Sequence, residues 1–292
     1  MSGKSFATGR YPLNKQGILR YYKQRILKTY VPTIAFIFLI SLLCFPDFLP
    51  NNPSVIFKYI FCTYRGNPGV DGIGATWYVF ITMWYYLFVP IVSMILKKMN
   101  KGKLAKILLF LIIAGGIFRY VGYKQGLPWN DIIYASLYGN IDLFFSGVIM
   151  AFIIYQSPNV IKSEKNKYIS TCLLIATILL NSWIMNECEM GKNYWFILQY
   201  LFPSIFICVI LYFLYSFAKT DLFTENQYLR IKKAIRIISD YTFEFYLFHS
   251  IVLNRISGFF HFASLSFNFF SLAFVTFVFT VILSIGFHKI FR

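Results

Sequence analysis

Ionisable side chains within long apolar stretches are costly to keep there, and this chain keeps a few where they could do chemistry. The most central is Glu244, in Asp240-Tyr241-Thr242-Phe243-Glu244-Phe245-Tyr246-Leu247-Phe248-His249. On a helix Thr242, Tyr246 and His249 fall at i, i+4 and i+7 and share one face, while Asp240 and Glu244 lie four apart on another stripe. A carboxylate or an imidazole at that depth can take a proton from a hydroxyl. Plainer readings stand beside this one: Glu244 pairing with a polar neighbour or snorkelling, His249 a satisfied core histidine. The pattern leaves both open. Arg25 and Lys28, three apart on one helical face, are an orientation signal and also a pair of donors suited to gripping phosphate. Asp142 opens an apolar stretch, where an acid suits a helix N-terminus. Trp77, Trp84, Tyr85 and Tyr86 read as an interface belt plus packing.

Helices that cross a bilayer must hold these groups. A hydrocarbon core of about 30 Å needs about 20 mostly apolar residues in a helix. About eight stretches reach or approach that length: Val31–Phe45, Ala75–Leu96, Leu104–Tyr120, Ile141–Tyr155, Tyr168–Met185, Tyr194–Ala218, Ile238–Ile256 and Phe267–Phe287. When they are threaded alternately, one family of loops takes all of the 28 Lys and Arg except Lys58, Arg65, Arg119, Lys124, Lys192 and Arg255. The positive-inside rule makes that side cytoplasmic, both termini included, in the cell membrane. The expected fold is all-α: a polytopic integral membrane helical bundle, N-in/C-in. It is a single domain over 1–292, with a cytoplasmic basic arm at 1–30 and a transmembrane bundle at 31–287.

The bulk numbers agree with that class. Hydrophobic residues make up 58% and charged residues 13% of the chain, against about 25% charged in soluble domains. The apolar runs are continuous rather than alternating, which disfavours a β-barrel. The net charge of +17 is accounted for by the loops, and the aromatics lie inside apolar runs, so nucleic acid is not an expected partner. Cys44, Cys172 and Cys208 fall inside spans as small apolar filler, while Cys62 and Cys188 fall in outer loops, where a bridge is open. No CxxC or Cys/His cluster suggests a metal. Residues 1–30 lack the apolar core of a signal peptide. Ser54–Thr63 is apolar but too short to span, so it reads as an interfacial or re-entrant piece.

Five segments together resemble the membrane acyltransferase 3 family. Arg25-Ile26-Leu27-Lys28-Thr29-Tyr30-Val31-Pro32 resembles its Arg-x-x-Arg-hydrophobic-Tyr-Pro element. Trp77 to Pro90 is similar to its Trp…Glu…Tyr-Leu…Pro span, and Phe144-Phe145-Ser146-Gly147 to its Phe-x-x-Gly element. Thr242 to His249 resembles its Ser-Tyr-x-x-Tyr-Leu-x-His element, and Met1-Ser2-Gly3 the end of its Ser-Gly-Tyr/Phe element. There are departures. Thr82 stands where the family has an acid, Lys28 replaces the second Arg, Val31 intrudes before Pro32, and Glu244 takes a usually small or apolar position. The family's first two spans, with the essential histidine of the first, have no counterpart here. That implies a shortened product or a start placed too late.

The resemblance implies an integral membrane enzyme that moves an acyl group, usually acetyl, from acyl-CoA to a hydroxyl of a cell-envelope glycan or its lipid-linked precursor. Arg25 and Lys28 would hold the anionic part of the donor, with acetyl-CoA as co-substrate and no metal. Glu244 and His249 are the candidates for the base. The competing expectation is a non-enzymatic membrane protein, a flippase-like transporter or an inactive partner in glycan export, with Glu244 and Asp142 lining a polar path.

Overall fold

A computed structural model describes residues 6–44, 53–63, 76–125, 136–156, 163–189, 195–216, 225–262 and 269–291. The Met1-Ser2-Gly3 element and the breaker-rich loop stretches at 45–52 and 64–75 lie outside them. The described residues form helices: α1 (Lys15–Arg25), a π-helical stretch (Ile26–Tyr30), α2 (Val31–Cys44), α3 (Pro53–Ile60), α4 (Trp77–Lys97), α5 (Lys101–Lys124), a 3-10 turn (Tyr138–Asn140), α6 (Ile141–Tyr155), α7 (Glu164–Glu189), α8 (Trp195–Ser216), α9 (Glu225–Phe262) and α10 (Phe269–Phe291). The expected all-α membrane fold is what forms.

The span count differs from the expected eight. Among the described residues six helices are long and apolar enough to cross a membrane: Lys15–Leu43, Trp77–Lys97, Lys101–Gly122, Tyr138–Tyr155, Lys165–Ile184 and Ser271–Ile290. Ser204–Ser216 is a shorter apolar helix. The segment expected at Ile238–Ile256 lies within α9, where Asp240, Glu244, His249, Asn254 and Arg255 dilute the apolar run. With 38 residues, α9 is about 57 Å long, well beyond a bilayer core. The first span starts earlier than Val31, because α1, the π stretch and α2 join into one helix.

Pro32 explains that π stretch. Proline lacks an N–H, and its ring crowds the carbonyl of the residue four before it, here Lys28. Widening the ladder relieves the crowding, and Val31 N–H bonds Ile26 O, five residues back. The hydroxyl of Thr33 donates to Thr29 O at 2.7 Å, satisfying another carbonyl of the disturbed turn.

The chain divides into two compact units, 1–22 with 84–221 and 23–83 with 222–292. In the second, Phe36 of α2, Phe248 of α9 and Phe287 of α10 meet edge to face, with centroids 5.0 Å (Phe36–Phe248), 5.4 Å (Phe248–Phe287) and 6.4 Å (Phe36–Phe287) apart. Such pairs contribute about 0.5–1.5 kcal/mol each beyond burial. Ile37, Ile40, Val79, Phe80, Leu247 and Ile251 belong to the same core. The short α3, at the Ser54–Thr63 stretch, buries Tyr59 against Phe80 at 5.8 Å and leaves Phe57 and Phe61 exposed. The hydroxyl of Tyr30 donates to the Ile60 carbonyl at its end.

In the first unit the N-terminal arm folds back through a ring cluster. Phe6 and Tyr11 pack on Tyr21, and Tyr21 on Tyr86. Asn14 caps α1 by accepting from Gly17 N at 2.8 Å. A Cβ at Gly17 would stand 2.0 Å from Pro12 O, so only glycine admits this close return.

Candidate functional site

The second unit brings an acid and a base together. Glu244 lies on the inward stripe of α9, one turn before Phe248, and is fully buried. His288 follows Phe287 on α10, so the ring cluster that fixes Phe287 also fixes His288. The result sets His288 Nδ1 at 3.2 Å from Glu244 Oε1, with the imidazole 22% and the carboxyl 0% exposed. The Tyr241 ring packs on the imidazole at 4.6 Å. In the tautomer that donates Nδ1–H to Glu244, Nε2 carries the lone pair and is free of that contact. A buried carboxylate orienting a partly accessible imidazole is an arrangement suited to taking a proton and stabilising the imidazolium that forms.

Glu244 and His249, predicted from sequence, do not meet each other. His249 Nδ1 is 2.6 Å from Tyr246 O, on its own helix, and its ring packs with Tyr246 at 5.5 Å. The i, i+4, i+7 face therefore forms as expected, but Glu244 turns to α10 instead. His288 was the missed residue. The one signal available was a rare histidine at the basic end of the last apolar stretch, one of 3 in the chain.

Arg25 closes α1 and Lys28 lies in the π stretch, so the wider turn rotates Lys28 away from the simple i, i+3 alignment expected of an α-helix. Both precede Phe36 on one continuous helix. At 1.5 Å per residue they stand about 16 Å and about 12 Å along the axis from the ring cluster that holds His288.

A profile described as an acyltransferase domain matches residues 1–289. The chain belongs to the acyltransferase 3 family. No match was found among curated proteins or among solved structures.

The acyltransferase segments take definite roles in the fold. Thr82, where the family has an acid, is buried, and its hydroxyl donates to Tyr78 O at 2.6 Å. That hydroxyl is spent on its own helix, while Glu244 brings a carboxylate into the same unit from α9. Phe144 and Phe145 pack on Tyr85 at 4.9 Å and 5.7 Å. A Cβ at Gly147 would meet nothing within 4 Å, so packing does not explain that glycine.

The first unit of this acyltransferase holds a different polar group. Arg119 of α5 grips Asp142 of α6 bidentately, Nη1–Oδ1 at 2.7 Å and Nη2–Oδ2 at 2.6 Å. Nη1 also donates to Gly139 O, and the Ser204 hydroxyl of α8 donates to Asp142 Oδ2 at 2.8 Å. A Cβ at Gly115 would stand 2.5 Å from Asp142 Cγ, so the carboxyl needs that glycine beside it. The pair is 2% and 0% exposed. Asp142 thus starts α6 as expected, yet its carboxylate ties three helices together.

Proposed function

We propose that this protein transfers an acyl group, acetyl foremost, from acyl-CoA to a hydroxyl of a cell-envelope glycan or its lipid-linked precursor. The observation that carries the reading is the acyltransferase-domain match over residues 1–289. The Glu244–His288 pair supports it by offering the base that acyl transfer to a hydroxyl requires.

In this reading His288 Nε2 takes the proton of the acceptor hydroxyl as the oxygen attacks the thioester carbonyl. The C–O bond forms, the C–S bond breaks, and the imidazolium returns the proton to the leaving CoA thiolate. Glu244 holds the ring and balances its charge. Arg25 and Lys28 bind the phosphates of CoA, and the distance to the ring cluster is bridged by the extended arm of the donor. The sorting of Lys and Arg to one family of loops puts these residues, and both termini, on the cytoplasmic face of the cell membrane, where acyl-CoA is made. His249, one turn beyond Phe245 on the same helix, is the alternative base within the unit.

The test uses inverted membrane vesicles carrying the full chain, radiolabelled acetyl-CoA and lipid-linked glycan extracted from the same membranes. Label should enter the glycan as an alkali-labile ester, above vesicles lacking the chain. Absence of transfer with acetyl-CoA and with longer acyl-CoA donors would sink the reading.

A further inference from the structure

The end of α4 and the start of α5 border an open surface cavity of about 370 Å³ lined by Met94, Ile95, Lys98, Met99 and Lys103. It is remote in sequence from the acid–base pair and has no part in the proposed transfer.

Its lining is graded. Met94 and Ile95 sit one turn inside the apolar helix and are 38% and 52% exposed. Lys98 follows the last turn of α4 and Lys103 lies in the first turn of α5, where the apolar runs of the two helices end. A phospholipid has the same order: a phosphate at the interface, with methylenes a few ångströms below. The lysine stems can lie along the Met and Ile walls while their ammonium groups reach the phosphate. The described lining contains no acid.

The turn that forms the cavity is held from several sides. Lys98 N and Met99 N donate back to Ile95 O and Leu96 O. Gln156 Nε2, from the end of α6, donates to Met99 O at 2.9 Å. Asn100 Oδ1 accepts from Lys103 N at 3.0 Å, which fixes where α5 begins. Leu96 and Leu104 are buried on either side of the turn. Lys98 and Lys103 are therefore presented on a fixed backbone, so less freedom is lost when both grip one phosphate.

We infer that this cavity binds the phosphate and upper acyl chain of an anionic glycerophospholipid. The volume suits a headgroup phosphate with the first methylenes, and the two ammonium groups match an anionic lipid rather than a zwitterionic one.

Purified full-length protein in nanodiscs of phosphatidylcholine with a minor fraction of phosphatidylglycerol would be released into native mass spectrometry, and retained lipids counted. The wild type should keep phosphatidylglycerol in excess of its share. Lys98→Gln with Lys103→Gln should lower that retention by roughly 10- to 30-fold, from about 1 kcal/mol per lysine near an anionic surface. Lys98→Arg with Lys103→Arg should retain it, as should Lys101→Gln with Lys106→Gln, which removes equal charge outside the cavity. Ile95→Glu should abolish retention while the protein still elutes as a single species. Equal loss in the Lys101/Lys106 variant would mean diffuse attraction and overturn the site. Displacement by added polyprenyl phosphate at a small fraction of the phospholipid would overturn the glycerophospholipid as occupant.

Discussion

His288 Nδ1 lies 3.2 Å from Oε1 of Glu244, a residue 44 positions earlier in the chain. The two come from neighbouring helices, and each is next to or one turn from a ring of the Phe36–Phe248–Phe287 cluster. An acid whose burial would be costly alone is thereby given a partner that itself reaches the edge of the protein.

If His288 is the base, His288→Ala should lower kcat for acyl transfer by about 10²- to 10⁴-fold with little change in KM for acyl-CoA. Glu244→Gln should reduce kcat less, because the amide oxygen still accepts Nδ1–H while the balancing charge is lost. Steady-state kinetics in vesicles read both. An unchanged kcat in His288→Ala would remove the pair from the mechanism.

His249→Ala is expected to lower kcat by less than about tenfold, below the usual contribution of a general base. Its Nδ1 is tied to the Tyr246 carbonyl of its own helix rather than to a carboxylate. A hundredfold loss would assign the base to His249.

Arg25→Ala and Lys28→Ala should each raise KM for acyl-CoA by roughly 10- to 100-fold, the range for hydrogen bonds to charged groups, while kcat holds. The effect should shrink with a dephosphorylated donor analogue. A fall in kcat at unchanged KM would place these residues away from the donor.

The Arg119–Asp142 pair governs stability. Arg119→Ala or Asp142→Asn should destabilise the protein by about 3–5 kcal/mol, since the partner is left buried and uncompensated. Gly115→Ala should also destabilise, by pushing Asp142 out of register with Arg119. Replacing Arg119 and Asp142 together with leucine should recover much of the loss. Thermal unfolding in detergent measures the series, and a double replacement as damaging as either single one would contradict the account.

The Cys62 thiol lies outside the spanning helices, just after α3. Burial pushes it up to about 11. The thiolate is the reactive form, so maleimide labelling of Cys62 should be slow near pH 7 and accelerate as pH rises toward that value. Unfolding in SDS should speed labelling at neutral pH. Labelling at the rate of a free peptide thiol in the folded protein would refute the burial.

Much of the scaffold was legible in the chain. Continuous apolar runs located the spanning helices to within a few residues, except the start of the first, which lies at Lys15 rather than Val31, and the position of Glu244 within an apolar run marked it for attention. The span count was not, because Ile238–Ile256 looks apolar in isolation while Asp240, Glu244, His249, Asn254 and Arg255 dilute it within a much longer helix. The join of the arm to the first span was half legible: Pro32 announced a disturbance, and the fold met it with a π turn rather than a break.

Composition and periodicity by themselves determined the membrane class, the helical architecture and the faces on which Thr242, Tyr246 and His249 align, because these follow from local hydrophobicity and a fixed helical repeat. Only the tertiary structure decided the partners: Glu244 with His288, Arg119 with Asp142 and Ser204. Those pairings depend on which helices pack and at what register. That is set by the shapes of side chains far apart in sequence, such as Phe36 against Phe287 or Gly115 beside Asp142, and leaves no local period to read.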